Sequence, residues 1–230
     1  MFAEREILIA LLKLTREGPV RKVELSRESR VPVQVITDVL MGDSRLGFLK
    51  LEQESFFVTP EQRLRVAVRA IELGADLERV CKFLTWAEFE DMSVFAFESN
   101  GFSVRKHFRF SWDGRRWEID ILARKKPIVA SVDCKHWHKS WRGAGSRKAA
   151  EKQIERTRVL AEAAEFMPDK IGVDQWRHAY FVPIILSLMP GAYKFHEGAP
   201  IVPVLQLQDF LQQMPVYINK LKHFYVTAEK

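Results

Sequence analysis

The spacing of hydrophobic residues changes near residue 100 of this chain, from a helical period to the alternation that is typical of strands. In the first part, a loosely alternating stretch over residues 48–58 indicates a small hairpin. Thr59 then provides an N-cap and Pro60 a first-turn residue for a further helix. Three helices, a hairpin and another helix predict a winged helix-turn-helix domain over residues 1–75. The first three helical segments are residues 2–16, 22–30 and about 32–41.

The third of these helices carries little charge. Its polar residues are Gln34, Thr37 and Asp38, whereas helices that read a major groove usually present Arg, Lys, Asn or Gln to base edges. Two interpretations therefore stay open for this domain, contact with DNA and contact with protein, the latter including dimerisation.

The pattern over residues 76–230 predicts a second domain that contains both helices and strands. A helix is expected from Trp86 to about Ser99, where Asn100-Gly101 ends it, and a long helix is expected over residues 146–166. The predicted strands are residues 102–110, 117–123, 128–135, 180–186 and 201–205. A C-terminal helix over about 208–224, broken or kinked at Pro215, completes an α-β-β-β-α-β-β-α order.

Acids and a lysine on the predicted strands suit metal-assisted hydrolysis of a phosphodiester. Because side chains alternate along a strand, Asp133 and Lys135 share one face, and Asp120 lies on the preceding strand. Carboxylates are ligands of hard cations such as Mg²⁺, which activate water and neutralise charge on a phosphate. A nearby lysine can orient the nucleophile or stabilise that charge. Taken alone, Asp133 and Lys135 are better explained as an ordinary ion pair on one strand face, and the supporting Asp120 and Glu90 reverse that preference.

The motif Asp120-(12 residues)-Asp133-Cys134-Lys135 is similar to the D-x(n)-(D/E)-x-K signature of the PD-(D/E)XK nucleases, the restriction-endonuclease-like superfamily. Upstream, the segment from Trp86 to Glu90 and the following Gly101-Phe-Ser-Val resemble the opening of the Mrr-type and Holliday-junction-resolvase-like branch. The resemblance covers about residues 85–207.

This sequence departs from the family pattern at two positions. Ile119 stands where the family name has proline, and Asp133 stands where glutamate is more frequent. The first departure is common in this branch, and the second could shift the metal spacing slightly. Neither one removes a necessary group.

The resemblance implies an α/β domain (α+β overall) with the restriction-endonuclease-like α-β-β-β-α-β-β order and a mixed central sheet. It also implies an Mg²⁺- or Mn²⁺-dependent endonuclease that hydrolyses DNA in repair, recombination or restriction. The site residues it implies are Asp120, Asp133, Lys135, Glu90 and Gln153. The three acids would hold the metal, with Glu88 competing with Glu90 for the helix position, and Gln153 would support the site.

The distribution of charge favours a polyanionic partner. The net charge is +6, yet residues 1–80 hold equal numbers of basic and acidic residues, whereas residues 101–160 hold 16 basic against 6 acidic ones. The candidate nucleic-acid contacts are Arg105, Lys106, Arg115, Arg116, His138, Lys139, Arg142, Arg147 and Lys148. A solvated basic surface is the alternative for each of them.

Composition narrows the class of protein further. Two cysteines exclude a disulfide framework and a four-cysteine zinc site. The N-terminus lacks the apolar stretch of a signal peptide and no run is long enough for a membrane helix, so we expect a cytoplasmic protein without a membrane partner. A homodimer is expected if both strands of a duplex are cut. The alternative function is a non-catalytic nucleic-acid-binding or regulatory protein with a repurposed nuclease fold.

Overall fold

The computed structural model describes residues 2–47, 49–135, 144–188 and 190–227 and forms two compact units. These units are Met1–Phe89 and Glu90–Lys230. The sequence placed the boundary after residue 75, whereas residues 76–89 stay with the first unit. The reason is the buried Arg63, whose guanidinium donates to the carbonyl oxygen of Phe83 at 2.6 Å and to Glu88 Oε1 at 2.5 Å.

The first unit packs four longer helices around a small antiparallel sheet with the strand order β1-β3-β2. Its elements are α1 Phe2–Leu14, β1 Val20–Arg21, α2 Lys22–Ser29, α3 Val33–Gly42, a 3₁₀ turn Ser44–Leu46, β2 Lys50–Glu52, β3 Ser55–Phe57, α4 Pro60–Glu72 and α5 Leu77–Cys81. The apolar faces of these elements meet in a core that includes Leu8, Leu11, Ile36 and Phe56, each at most 1% exposed.

The predicted start of α4 is confirmed. Thr59 Oγ1 accepts from the Gln62 backbone N–H at 3.2 Å, and Gln62 Oε1 accepts from the Thr59 N–H at 2.9 Å. These reciprocal bonds satisfy two backbone donors that a helix start otherwise leaves unpaired. Pro60 follows as the first helical residue, where it loses no hydrogen bond.

Within the described residues, the second unit is built on a seven-stranded sheet. Its elements are α6 Trp86–Ser99, β4 Ser103–Trp112, β5 Arg115–Lys125, β6 Ile128–Lys135, α7 Ala144–Ala164, α8 Pro168–Ile171, β7 His178–Ser187, β8 Phe195–His196, β9 Ala199–Pro203, a 3₁₀ turn Val204–Gln206, α9 Leu207–Tyr217, a 3₁₀ turn Ile218–Lys220 and β10 Phe224–Thr227. The helix α6 begins in the first unit and continues into the second.

The sheet is mixed, with the strand order β4-β5-β6-β7-β9-β8. The neighbours β4, β5 and β6 are antiparallel, whereas β6, β7 and β9 run parallel. The strand β6 is thus central, and α7 packs against it and β7 over a core that includes Val129, Leu160 and Phe181. The expectation of a mixed α/β protein with a mixed central sheet is confirmed at this level.

The C-terminal segment differs from the sequence prediction. The helix α9 ends at Tyr217 rather than near residue 224, and β10 follows, antiparallel to the start of β7. Phe224 and Val226 pack against the core cluster beneath α7, so the strand buries apolar side chains that a continued helix would carry elsewhere.

Within the described residues, no helix is both long and apolar enough to span a membrane.

Candidate active site

The central strand β6 ends in an acid and a lysine that contact each other. Asp133 is 2% exposed, and its Oδ1 and Oδ2 lie 2.9 Å and 2.7 Å from Lys135 Nζ. Every residue of this strand from Ile128 to Cys134 is buried, on both faces. The reason is that β6 has strands on both sides and α7 packs against it.

Asp120 joins these residues from the neighbouring strand β5. The ladder between β5 and β6 ends at the Ile121–Val132 pair, and one step further Asp120 Oδ2 accepts from the Cys134 backbone N–H at 2.8 Å. This side-chain bond satisfies a donor at the point where strand pairing stops. It also fixes the Asp120 carboxylate beside Asp133.

The electrostatics of Asp120 reflect that position. Burial raises the pKa of Asp120 above its ordinary value, the Cys134 N–H lowers it, and the negative charge of Asp133 raises it again. Lys135 and Arg156 act in the opposite direction and lower the pKa of Asp120. Two carboxylates that repel each other in a partly buried place are a suitable arrangement for a bound cation.

The two glutamates of α6 have different surroundings. Glu88 is 3% exposed and fully engaged in the first unit, because Oε1 accepts from Arg63 and Oε2 accepts from the Thr85 N–H at 2.7 Å. Glu90 belongs to the second unit, is 5% exposed, and has its Oε2 at 3.8 Å from His107 Nε2. Of these two acids, Glu90 is therefore the one that lies on the side of the β5 and β6 acids.

The charges around Cys134 support this placement of Glu90. Burial raises the pKa of the Cys134 thiol well above its ordinary value, and the negative charges of Asp120, Glu90 and Asp133 raise it further. The negative charges of all three acids are thus felt at Cys134, and the thiol stays protonated.

The helix α7 contributes two side chains at helical spacing. Gln153 is 0% exposed and its Nε2 donates to the carbonyl oxygen of Ser131 at 2.7 Å and to Ser131 Oγ at 2.9 Å. Three residues later, Arg156 Nη1 donates to Asp133 Oδ1 at 2.7 Å. Gln153 therefore holds β6 two residues before Asp133, and Arg156 contacts Asp133 itself.

A cavity of about 220 Å³ opens beside these residues. It is lined by Asp133, Lys135, Gly145, Lys148, Ala149, Lys152 and Arg156. Four cationic side chains and one carboxylate give its lining a net charge of +3, so it favours an anionic ligand such as a phosphate group.

The predicted nucleic-acid contacts occupy several places in the second unit. Arg105 donates to the carbonyl oxygen of Lys170 at 2.6 Å, and Lys106 pairs with Asp91 at 2.9 Å, so both have partners within the protein. All six described residues of this set are exposed: these two, Arg115 and Arg116 at the turn between β4 and β5, and Arg147 and Lys148 in the first turns of α7. Three further candidates, His138, Lys139 and Arg142, lie outside the described residues.

Sequence reasoning missed two residues of this site. Arg156 could have been found from its spacing to Gln153, because residues three apart on a helix share a face. His107 has no such signal. It lies between Glu90 and Glu118 with a φ of +50°, an uncommon conformation for a residue other than glycine.

The carboxylates of Asp120 and Asp133 are suited to bind one hard divalent cation. Among the described residues, no three His, Cys, Asp or Glu side chains gather closely enough to hold a metal, so Glu90 does not complete a three-acid set with Asp120 and Asp133. Mg²⁺ is commonly bound through one or two carboxylates, with water and substrate phosphate supplying the other ligands. Asp120 and Asp133 meet that requirement.

Comparison with known proteins yields few relatives. No family model matches the chain. An uncharacterized protein of Archaeoglobus fulgidus is 29% identical over 136 residues, which cover 59% of this chain and 95% of that protein.

One solved structure aligns with the chain, protein VC1899 from Vibrio cholerae. It has a TM-score of 0.36 and 14% identity, with 95% of this chain and 51% of that protein covered. The chain therefore spans about half the length of that protein. A likeness at this score carries no conclusion about fold or function.

Proposed function

We propose that this protein is a metal-dependent nuclease that hydrolyses phosphodiester bonds of DNA. The observation that carries the proposal is the proximity of Asp120, Asp133 and Lys135 where the pairing of β5 with β6 ends, beside a cationic cavity. This trio also forms the D-x(n)-(D/E)-x-K motif that resembles the PD-(D/E)XK nucleases. The finer fold belongs to the same proposal, namely a winged helix-turn-helix over the first unit and a restriction-endonuclease-like second unit.

The proposed roles follow from the contacts of each side chain. Asp120 and Asp133 would hold Mg²⁺ or Mn²⁺, and such an ion supplies activated water and neutralises charge on the phosphate. Lys135 Nζ is bound to Asp133 and also lines the cavity, so its ammonium would stabilise negative charge on a phosphate oxygen there. Gln153 would keep β6 in place through its two bonds to Ser131.

The basic surface of the second unit supports a polyanionic substrate. Arg147 and Lys148 are exposed in the first turns of α7, and α7 begins with no acidic residue. The unpaired N–H groups of a helix start and two cations attract phosphates together. Double-strand cutting would require two active sites, and we propose a homodimer for that case.

One observation favours a second candidate, a non-catalytic nucleic-acid-binding protein. Lys135 and Arg156 together neutralise the buried Asp133, so its charge is balanced within the protein without a metal ion. A protein that had lost catalysis could keep such a site as a structural ion-pair cluster.

The experiment that separates the two candidates is a cleavage assay on the purified protein. Plasmid, linear duplex, branched and single-stranded DNA, and a single-stranded RNA, are each incubated with Mg²⁺, Mn²⁺ or EDTA. We expect cutting that needs the metal and that is lost in Lys135→Ala and Asp133→Ala variants of unchanged circular dichroism.

The control for this assay is Lys126→Ala, which removes an exposed lysine in the turn between β5 and β6 and should leave cleavage unchanged. Full activity of purified Lys135→Ala would refute the nuclease assignment. Binding of DNA without cutting of any substrate would support the non-catalytic candidate.

A further inference from the structure

The contact between Arg156 and Asp133 joins the cationic cavity to the proposed metal ligand. Arg156 Nη1 lies 2.7 Å from Asp133 Oδ1, the oxygen that also accepts from Lys135. The carboxylate is 2% exposed, while a third of the Arg156 side chain is exposed and lines the cavity. Arg156 thus touches both the buried acid and the place where an anion would bind.

A divalent cation at Asp133 would compete with Arg156. Oδ1 of this carboxylate accepts from both cationic side chains, whereas the buried Oδ2 has Lys135 Nζ at 2.7 Å and no hydrogen bond. A metal ion bound at Oδ2 would bring a third cationic group to Asp133 and weaken the existing contacts, because like charges repel strongly in a place with little water. Lys135 is held on the same strand, two residues away, whereas Arg156 reaches Asp133 from a separate element.

The basic face of α7 offers Arg156 an alternative partner. Lys148, Lys152 and Arg156 follow one another at intervals of four residues, so they share a helix face along the cavity. Among the described residues, neither lysine has an ion pair or a hydrogen bond from its side chain. Like charges at this spacing destabilise a helix, and a phosphate bound among them would remove that repulsion.

We propose that Arg156 exchanges partners, leaving Asp133 for a substrate phosphate when a divalent cation takes its place. The consequence is positive coupling, because nucleic acid that draws Arg156 into the cavity vacates Asp133 for the metal, and bound metal frees Arg156 for the phosphate. Arg156 is thus a positioning residue that makes metal loading depend on substrate. This inference rests on the proposed function, since it requires a metal at Asp133.

The test measures Mn²⁺ affinity by calorimetry on the full chain, with and without nuclease-resistant phosphorothioate DNA. In the absence of DNA, Arg156→Gln should bind Mn²⁺ about tenfold more tightly than the natural protein, because the competitor for Asp133 is gone. With DNA present, the natural protein should gain Mn²⁺ affinity by a larger factor than Arg156→Gln. The control Lys126→Gln should behave as the natural protein in both series.

Two further variants distinguish a failure of the partner exchange from a failure of the proposed metal site. Arg156→Lys keeps the charge without the forked donor and should fall between the natural protein and Arg156→Gln. Asp133→Asn should lose the Mn²⁺ site. If Asp133→Asn binds Mn²⁺ as the natural protein does, the proposed metal site is wrong.

If Asp133→Asn loses Mn²⁺ while Arg156→Gln binds it with unchanged or lower affinity, the exchange of partners is overturned and the metal site stands. Thermal unfolding of each variant verifies that the comparison is made on folded protein. Tighter Mn²⁺ binding without DNA, together with a smaller gain on adding DNA, is a result that a merely structural arginine would not give.

Discussion

Asp120 stabilises the fold through a hydrogen bond and destabilises it through its partly buried charge. Its carboxylate accepts the Cys134 N–H at the end of the strand ladder, which stabilises the fold. Its negative charge lies partly buried beside Asp133, which raises its pKa and makes the ionised form costly in the folded state. Such a conflict between stability and charge is typical of a functional residue.

Asp120→Asn should therefore keep the fold and lose the proposed cleavage of DNA. An asparagine oxygen can still accept from Cys134, and the repulsion with Asp133 disappears. A pKa raised in the folded state means that stability falls as pH rises through the range between the unfolded and folded values. In EDTA at pH 7, we thus expect the urea concentration at the unfolding midpoint to be at least as high for the variant as for the natural protein.

At a pH low enough to protonate the acid in both states, this stability difference should vanish, since both chains are then neutral at residue 120. Cleavage at pH 7 should fall by at least about a hundredfold, as expected for loss of a group at a metal site. This account would be contradicted if Asp120→Asn were less stable than the natural protein at pH 7 and equally stable at acid pH.

At the scale of elements, α6 carries two buried glutamates, Glu88 and Glu90, that have different partners. Glu88 forms a buried pair with Arg63 and a reciprocal cap with Thr85, whose Oγ1 accepts from the Glu88 N–H at 3.2 Å. Glu90 faces the charged groups of the second unit. The two positions therefore form a matched pair for mutation.

Glu88→Gln should destabilise the chain by about 3 kcal/mol, because Arg63 would keep a buried charge without its partner. Glu90→Gln should change the free energy of unfolding little and reduce cleavage. Both quantities are measured on the same preparations, by urea unfolding and by the plasmid assay. The reverse pattern, with a stable Glu88→Gln and an unstable Glu90→Gln, would exchange the two assignments.

Local pattern predicts the central elements well and the distant pairings poorly. The strand β6 occupies the predicted residues 128–135, since its apolar run is unbroken and its ends are marked. The strand β10 was missed, because its pairing with β7 joins residues more than 30 positions apart. A short segment of this kind gains its conformation from tertiary packing rather than from its own sequence.

The sequence predicted that the candidate residues lie close together but not what surrounds them. Asp120, Asp133 and Lys135 do meet, and Gln153 does reach β6. The burial of Asp133 and its contact with Arg156 could not be read from the sequence, because they depend on α7 covering that end of the sheet. Periodicity gives the face of a strand but not the partner of that face.

At the scale of the molecule, charge is divided unequally between the two parts of the chain. Residues 1–80 sum to zero, so the whole net charge of +6 comes from residues 81–230. In the first unit, several cations are already paired with acids, as in the contacts of Lys13 with Glu28 and Arg79 with Glu6. Binding of a polyanion should therefore depend on the second unit.

The lysines of α7 allow the number of phosphate contacts to be measured from the salt dependence of DNA binding. Each cation that contacts a phosphate of duplex DNA releases about one counterion, so the slope of log K against log salt falls by about 1 per contact removed. Replacing both Lys148 and Lys152 with alanine should lower the slope by about 2 in EDTA, by fluorescence anisotropy with a short duplex. The equally exposed pair Lys126 and Lys194, replaced in the same way, should leave it unchanged. Equal slopes for both double variants would mean that DNA does not follow α7.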